Sequence, residues 1–282
     1  MNLHRLRYFY DSARLGSTTE AARANFITQS AVSQAIRALE DDLNGQLIYH
    51  RKNSFELTPT GQVAYRECQS IFGAIDNFRA TLSKTAEKVS GQLAIAATNS
   101  IALTALATPL AKLTQRHPEL SLQLKLGNSD QVKDHLRRRE AELGFLLEDD
   151  DLSEFDATAI REGRFQIVAS PKFKARRPLE GVIITRPHKV EVRHLQKQFE
   201  KAFGKPLVFP MEVFSWELIR QLCLDGAGPG YLPDYLIRQE LASGKLKVLH
   251  PELKPWKYKL LAIRLKGRVP SRNAGALLDA VR

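Results

Sequence analysis

The sequence predicts an α/β protein in consecutive parts: a small helical domain over residues 1–58, a long helix over 59–90 and a larger α/β domain over 91–282. Two observations support this division. Before residue 90, apolar residues recur at intervals of three and four, which is the spacing of helices that bury one face. From Gly91 onward, short apolar strands alternate with helical patterns, as expected for a sheet covered by helices.

The composition is that of an ordinary globular chain. Hydrophobic residues make up 43% and charged residues 26% of the 282 positions, which is enough for two or three units with cores of their own. No apolar run approaches a membrane span, and the first residues lack the apolar core of a signal peptide, so we expect a cytoplasmic protein without membrane contact. The two cysteines, Cys68 and Cys223, fit neither a disulfide framework nor a metal-ligand cluster.

The net charge of +11 does not by itself locate a nucleic-acid site. Residues 1–90 contain 11 Lys and Arg against 9 Asp and Glu, residues 91–160 contain 7 against 11, and residues 161–282 contain 24 against 11. The excess positive charge therefore lies in the α/β domain. Bulk charge favours solubility and a general attraction to polyanions, so local patterns have to identify a DNA-binding surface.

The first two predicted helices are short. The apolar positions of the first helix are Leu3, Leu6, Tyr10 and Ala13. Gly16 is a natural stop, and Ser17 and Glu20 then form the S-x-x-E arrangement of a capping box, which opens an alanine-rich second helix. Asn25 tolerates a left-handed backbone, so we expect a tight turn there. Two short helices, a turn and a third helix form the helix-turn-helix pattern.

The third helix, over residues 28–43, separates into two faces and is predicted to end near Asn44-Gly45. The apolar stripe consists of Val32, Ile36, Leu39 and Leu43. The candidate DNA contacts on the polar face and the preceding turn are Thr28, Gln29, Ser30, Ser33, Gln34 and Arg37. Hydroxyl, amide and guanidinium groups of this size suit base edges and phosphates in a major groove. The alternative is an ordinary solvated helix face.

A small hairpin is predicted after the third helix. Leu47 and Tyr49 form one arm, Phe55 and Leu57 the other, and the basic segment 51–54 lies at the bend. A hairpin with a basic tip beside a helix-turn-helix is a wing. Its tip residues Arg51 and Lys52 are candidate contacts to phosphates or to a narrow minor groove, with plain surface charge as the alternative.

A long helix is predicted from Pro59, a residue that suits the first turn of a helix. An apolar stripe runs along it at alternating intervals of three and four: Ala64, Cys68, Ile71, Ile75, Phe78 and Leu82. Such a heptad stripe is covered either by the protein's own domain or by a partner helix. Because no nearby segment looks able to cover a stripe of this length, we favour dimerisation.

Residues 1–88 closely resemble the amino-terminal domain of LysR-type transcriptional regulators. The matching stretches are LRYFYDSARLGSTTEAA, ITQSAVSQAIRALEDDLNGQLIYHR and LTPTGQ. The resemblance implies a winged helix-turn-helix that binds double-stranded DNA, a dimerising linker helix and a carboxy-terminal effector domain. It also implies a homodimer or homotetramer, with RNA polymerase as a candidate partner. One position departs from the pattern, because Gln34 stands where many members have Arg, and Gln prefers adenine where Arg prefers guanine.

The remainder of the chain is predicted to form a mostly parallel sheet. The predicted strands include LAIAA, LSLQLKLG, ELGFLL, FQIVAS, VIIT, PLVFPMEV, KLKVL and KLLAI, with helices between them over 191–203 and 234–242 among others. The pattern restarts near Phe165. The two resulting units resemble the periplasmic-binding-protein-like effector domain of the same family, with subdomain I over about 91–160 and 265–282 and subdomain II over about 161–264.

A ligand is expected beyond the carboxyl ends of the strands, where helix amino-termini present free N–H groups. The candidate effector-binding residues are Thr98, Asn99, Ser100, Asn128, Ser129, Phe214 and Ser215. Any one of these hydroxyls, taken alone, is more often a helix cap than a ligand contact, but three such segments at matching places in the topology favour a pocket. Since helix amino-termini favour anions and the second half of the chain is basic, we expect a small anionic effector, such as a carboxylate.

The sequence gives little support to other classes of protein. Its seven histidines are scattered, and the motifs H-E-x-x-H, C-x-x-C and G-x-x-x-x-G-K-[ST] are absent. We therefore assign no catalytic residue, no metal site and no cofactor, and we expect that the protein is not an enzyme. A DNA-packing protein is the remaining alternative, but such a protein has no use for a large α/β ligand domain.

Overall fold

The computed structural model describes residues 2–49, 55–84, 88–148, 151–174, 179, 181–250 and 252–282. The chain divides into two compact units, Met1–Glu87 and Lys88–Arg282. Within the described ranges, no helix has the length and apolar character needed to cross a membrane.

The first unit contains four helices among its described residues: α1 Leu3–Leu15, α2 Thr18–Ala24, α3 Gln29–Asp42 and α4 Pro59–Lys84. Gly16 ends α1 in the left-handed conformation, with φ of 64°. The Ser17 hydroxyl accepts a hydrogen bond from the Glu20 N–H (3.2 Å), as predicted. The second half of the capping box does not form. The Ser17 N–H donates to the Ser12 carbonyl, and the Glu20 carboxylate pairs with Arg23 at 2.6 Å.

The turn between α2 and α3 differs from the prediction. Asn25 is not left-handed, with φ of −103°, and the residue with positive φ is Phe26, at 56°. The Asn25 amide donates to the Asp11 carboxylate (3.0 Å) and to the Ala21 carbonyl (2.9 Å). Asn25 therefore fixes the end of α2 against α1, and the chain reverses one residue later.

The apolar face of α3 enters the core of this unit. Val32, Ile36 and Leu39 are fully buried. The prediction that Leu43 is the fourth member of the buried stripe is wrong. Leu43 is 42% exposed, because the helix ends at Asp42 and Leu43 is its C-cap residue. Glu40 is buried on the same helix, where its carboxylate accepts the N–H groups of Leu47 and Ile48 at 2.8 and 3.1 Å.

The two arms of the hairpin pair in antiparallel fashion through one bridge, Ile48 to Leu57. The Tyr49 N–H donates to the Glu56 carbonyl at 2.9 Å, which continues the pairing toward the tip. The predicted tip contacts Arg51 and Lys52 lie outside the described residues.

Helix α4 is partly covered by its own unit. Cys68 and Phe72 are buried in the same core as α1 and α3, and the ring of Phe72 lies 5.2 Å from that of Tyr10. The expectation that no nearby segment covers the stripe is therefore wrong for its first half, where Ala64 and Cys68 face α1. The stripe positions that remain exposed are Ile71, Phe78 and Leu82.

The second unit is an α/β structure. Its described strands are β1 Gly91–Thr98, β2 Leu120–Gly127, β3 Leu143–Leu147, β4 Phe155–Ala169, β5 Gly230–Pro233, β6 Lys247–Leu249 and β7 Lys257–Leu265. Its described helices are α5 Asn99–Ile101, α6 Ala107–Arg116, α7 Ser129–Arg137, α8 Val190–Phe203, α9 Trp216–Leu224, α10 Asp234–Ala242 and α11 Arg272–Val281. A π-helical segment, Ala102–Leu106, joins α5 to α6.

The sheet is mixed, so the expectation of a mostly parallel sheet is wrong. The hydrogen-bonded order is β2-β1-β3-β7-β4-β5, with β6 also on β4. Strand β1 is parallel to β2 and β3, whereas every named pair that involves β4 or β7 is antiparallel. The chain leaves the β1–β3 group along β4 and returns along β7, so these two strands run in opposite directions.

Strands β4 and β7 are shared by both halves of the unit. The predicted strand at 165–170 is only the end of β4, whose earlier part pairs with β7 from Phe155 opposite Leu265 to Arg164 opposite Lys257. The predicted boundary at 264/265 places β7 in subdomain II, yet β7 also pairs with β3. The predicted strands at 182–185 and 206–213 form only isolated parallel bridges, which involve Ile183 and Ile184.

Candidate DNA-binding surface and ligand cavity

The polar face of α3 is open to solvent in the first unit. Ser30, Gln34 and Arg37 are exposed, and Ser33 is half-buried. Thr28 caps the helix, because its hydroxyl accepts the Ala31 N–H at 3.2 Å. The polar face therefore projects from a helix whose opposite side is fixed in the core.

Hydrogen bonds orient the start of this face. The Gln29 amide nitrogen donates to the Ser33 hydroxyl (3.0 Å) and to the Thr18 hydroxyl of α2 (3.2 Å). The Thr28 and Ser30 hydroxyls lie 3.0 Å apart. Thr18 was not predicted as part of the surface, although its place at the start of α2 is where helix-turn-helix proteins approach the DNA backbone.

A cavity of about 540 Å³ lies in the second unit. It brings together all seven residues that the sequence predicted as effector-binding: Thr98, Asn99, Ser100, Asn128, Ser129, Phe214 and Ser215. They come from three separate segments: the first begins at the last residue of β1, the second follows β2 and the third precedes α9. This volume is in the range of sites for small ligands.

Several of these residues also have structural roles. Asn128 and Gln131 form a complete capping box at the start of α7, and the Ser215 hydroxyl caps α9 by accepting the Leu218 N–H at 3.2 Å. The buried Ser100 hydroxyl lies 2.7 Å from that of Tyr235. The Thr98 hydroxyl oxygen, by contrast, is buried and has no hydrogen-bond partner among the residues that the structure describes.

Charged residues that the sequence did not assign to a ligand site also line the cavity. The cationic and imidazole side chains are Arg186, His188 and Lys189, and the acidic ones are Asp130, Glu148, Glu191 and Glu217. Asp130 and Glu217 each lie in the first turn of a helix, α7 and α9 respectively. Two of the helix amino-termini that were expected to attract an anion therefore already carry a carboxylate of their own.

Aromatic side chains form much of the remaining wall. Phe165, Trp216, Trp256 and Tyr258 line the cavity. The ring of Phe165 lies 5.6 Å from that of Trp216 and 5.7 Å from that of Tyr258, edge to face in both pairs. These residues are far apart in the sequence, so no local motif marks them as one surface.

The back of this wall is a buried network of hydroxyl groups. Tyr258 donates a hydrogen bond to the Asp234 carboxylate, which also accepts the Arg164 N–H at 3.2 Å. Burial raises the pKa of Tyr258 and of Tyr235, and the Asp234 hydrogen bond raises that of Tyr258 further. Both phenols therefore remain neutral hydrogen-bonding groups at physiological pH.

The fold and these two surfaces define a DNA-binding protein with a separate ligand domain. The family model for the bacterial regulatory helix-turn-helix protein, lysR family, matches residues 3–62. The model for the LysR substrate binding domain matches residues 86–282. The chain belongs to the LysR family of transcriptional regulators: it is a DNA-binding regulator with an effector-binding domain, and the family is one of regulators rather than enzymes.

Known proteins resemble the chain over most of its length. YxjO of Bacillus subtilis, an uncharacterized HTH-type transcriptional regulator, is 28% identical over 252 residues, which cover 87% of this chain and 85% of that protein. A full-length OxyR variant from Pseudomonas aeruginosa has a TM-score of 0.73 at 18% identity and covers 100% of this chain and 95% of that one. Full-length LysG from Corynebacterium glutamicum, with bound effector Arg, has a TM-score of 0.66 at 20% identity and covers 100% and 96%. At these identities, the two structures show similarity of fold alone.

Proposed function

We propose that this regulator binds an interrupted palindromic promoter site as a dimer or a dimer of dimers and responds to a small anionic effector. The observation that supports this most strongly is the cavity, where three segments chosen from sequence as ligand-binding meet at one place. The exposed polar face of α3 supplies the DNA-binding half of the proposal.

Two copies of α3 would enter successive major grooves, which are separated by about 34 Å along B-form DNA. Ser33 and Gln34 read base edges, and Arg51 and Lys52 of the hairpin tip contact phosphates or the minor groove. Pairing through the exposed positions Ile71, Phe78 and Leu82 of α4 presents the two helices together.

The effector acts by preferring one arrangement of the two halves of the α/β unit. The cavity is lined both by residues that follow β1 and β2 and by residues that precede α9, on the other side of the shared strands β4 and β7. A ligand that contacts both sides stabilises the arrangement in which they lie close together, which is a population shift through differential affinity. LysG, a protein of similar fold, contains a small molecule, Arg, as its bound effector.

The DNA-binding assignment predicts separate effects for helix and wing variants. Ser33→Ala and Gln34→Ala should each reduce discrimination between promoter DNA and scrambled DNA by about 1–3 kcal/mol, because a base contact is lost. Arg51→Ala should weaken binding to both DNAs and lower the slope of affinity against salt. Titration of both DNAs at several salt concentrations measures each effect. Equal losses on both DNAs for the helix variants would contradict direct base readout by α3.

A further inference from the structure

Arg186 is a cation of the cavity wall. No carboxylate of the described residues forms an ion pair with it. Its guanidinium carbon lies 5.1 Å from the ring centre of Phe214, which also lines the cavity. A half-buried guanidinium that lies over an aromatic ring and has no ion pair among the described residues retains its capacity for a bidentate carboxylate partner.

Two of the four acids around the cavity are paired with lysines. Glu148 pairs with Lys259 at 3.9 Å, and Asp130 pairs with Lys133 at 3.6 Å. Glu217 lies at the positive amino-terminal end of α9, where its Oε2 accepts the Ser215 hydroxyl at 2.7 Å. Its Oε1 is buried without a hydrogen-bond partner among the described residues. Glu191, the fourth acid of the wall, is itself buried. Although acids outnumber cations in the wall, none of these four carboxylates forms an ion pair with Arg186 among the described residues.

The wall beside these charged groups is aromatic. Phe165 joins Trp216 and Tyr258 through edge-to-face contacts of 5.6 and 5.7 Å, and Trp256 lines the same cavity. Rings in contact with one another form a rigid apolar surface, which favours a flat ring as its partner over a flexible chain.

We propose that the effector is an aromatic carboxylate, whose carboxylate pairs with Arg186 and whose ring packs against Phe165, Trp216 and Trp256. This proposal rests on the proposed function, because it assumes that the cavity is the effector site, and it adds the chemical class. It also replaces the helix amino-termini as the anchor for the anion, since α7 and α9 carry Asp130 and Glu217 in their first turns.

Matched probes test the class on the full-length protein. Isothermal calorimetry with benzoate, phenylacetate and indole-3-carboxylate is compared with the corresponding amides, which keep the ring but lack the charge. Cyclohexanecarboxylate keeps the charge but lacks the flat ring. At least one aromatic acid should bind, and its amide and its non-planar counterpart should each bind at least tenfold more weakly.

Arg186→Gln should weaken binding of the aromatic acid at least tenfold, and Arg186→Lys should recover only part of the loss because the bidentate geometry is missing. Arg193→Gln is the matched control. It removes the same charge from an exposed position on α8 that lies outside the cavity wall, and it should leave binding unchanged. Thermal unfolding of each variant checks that the fold is retained.

Each other outcome overturns a defined part of the proposal. Equal binding of aromatic and non-planar acids, with dependence on Arg186, removes the aromatic class but leaves an anionic effector in place. Binding of the amides without dependence on Arg186 removes both the anion and its anchor. If none of the aromatic acids binds the folded protein, the class is wrong, whereas the DNA-binding assignment is decided separately by the promoter titrations.

Discussion

Phe26 is a strained residue at the turn of the helix-turn-helix. Its φ of 56° lies in the left-handed region, which a bulky side chain adopts at a cost of about 1–2 kcal/mol. Its side chain is 96% exposed, so packing within the chain does not offset this strain. The neighbouring Asn25, which tolerates the conformation better, is instead hydrogen bonded to Asp11.

We predict that Phe26→Asn stabilises the protein by about 1 kcal/mol, because Asn adopts positive φ more readily and no buried contact is lost. Urea denaturation of the full chain measures the change. Asn44→Ala is a control of opposite sign: Asn44 has φ of 50°, and alanine there should destabilise. A loss of stability in Phe26→Asn would mean that the ring has a packing role in the folded protein.

Some residues of the cavity wall were predicted from sequence, and others were missed. Thr98, Asn128 and Ser215 were found because each stands at a local strand-to-helix or helix-start junction, and such junctions collect at one edge of a sheet. Arg186 was missed because it lies in a loop without a motif. Its ligand-binding potential depends on which carboxylates are near it, and that is fixed only by tertiary structure.

At the scale of elements, α4 changes environment along its length. Its first half packs on α1, where Tyr10 stacks on Tyr65 at 5.5 Å and contacts Phe72. Its second half exposes Phe78 and Leu82. The heptad stripe alone did not distinguish these halves, because an intrachain contact and a partner helix demand the same apolar spacing.

We predict that Phe78→Glu separates the proposed dimer without unfolding the chain, because Phe78 is 65% exposed within one chain and a charge in a helix seam opposes pairing. Sedimentation should give the mass of a monomer, with an unchanged circular dichroism spectrum. Phe72→Ala is the contrast, because it removes a buried ring from the core of the unit and should destabilise the fold by about 3 kcal/mol. A Phe78→Glu protein of unchanged mass would rule out pairing through this half of α4.

The connection from α7 to β3 contains an acid that should make stability depend on pH. Burial acts to raise the pKa of Glu140, but the His135 hydrogen bond (2.7 Å) and the charge of Lys125 outweigh it, so that the pKa is lowered overall. Because folding favours the ionised carboxylate, its contribution is present above the unfolded pKa of about 4.3 and is lost as pH falls through the folded value.

Glu140→Gln should therefore destabilise the protein at pH 7 by about 1 kcal/mol, through loss of charge-assisted hydrogen bonds, and the difference from wild type should shrink at acid pH. Denaturation at pH 7 and across the acid range measures both. Glu119→Gln, at an exposed site whose carboxylate has no partner among the described residues, should show neither effect. A difference that is constant with pH would exclude ionisation of Glu140 as its source.

Some elements of the second unit are predictable from local sequence, and others are not. Helices α8 and α10 lie close to the predicted ranges 191–203 and 234–242, and each buries one face in the core of the second unit. The first part of β4 was missed because Arg161, Glu162 and Arg164 interrupt any apolar alternation. It is nevertheless a strand because its backbone pairs with β7 along its length, and such pairing over long sequence distance has no local signature.

For the whole molecule, each apolar core is drawn from one unit. One cluster contains only residues up to Ile75, and the others contain only residues from Val89 onward. We predict that a fragment of residues 88–282 folds alone and unfolds in the same transition that this unit shows in the full chain, while losing DNA binding. Calorimetry of both proteins makes the comparison. A fragment without a cooperative transition would show that its stability depends on the first unit.

The π-helical segment Ala102–Leu106 affects how a one-residue gap between relatives of this chain would be interpreted. In it, the Ala107 N–H donates to the Ala102 carbonyl, five residues back, so the turn holds one residue more than an α-helical turn would. Deletion of one residue from this segment would restore a regular α-helix. It would also rotate Asn99 and Ser100 by about 100° about the helix axis relative to α6. The π-helical turn thus shifts the cavity-lining residues by one position relative to the packed face of α6. In an alignment of relatives, a one-residue gap at this position would therefore separate chains that present different side chains to their ligands.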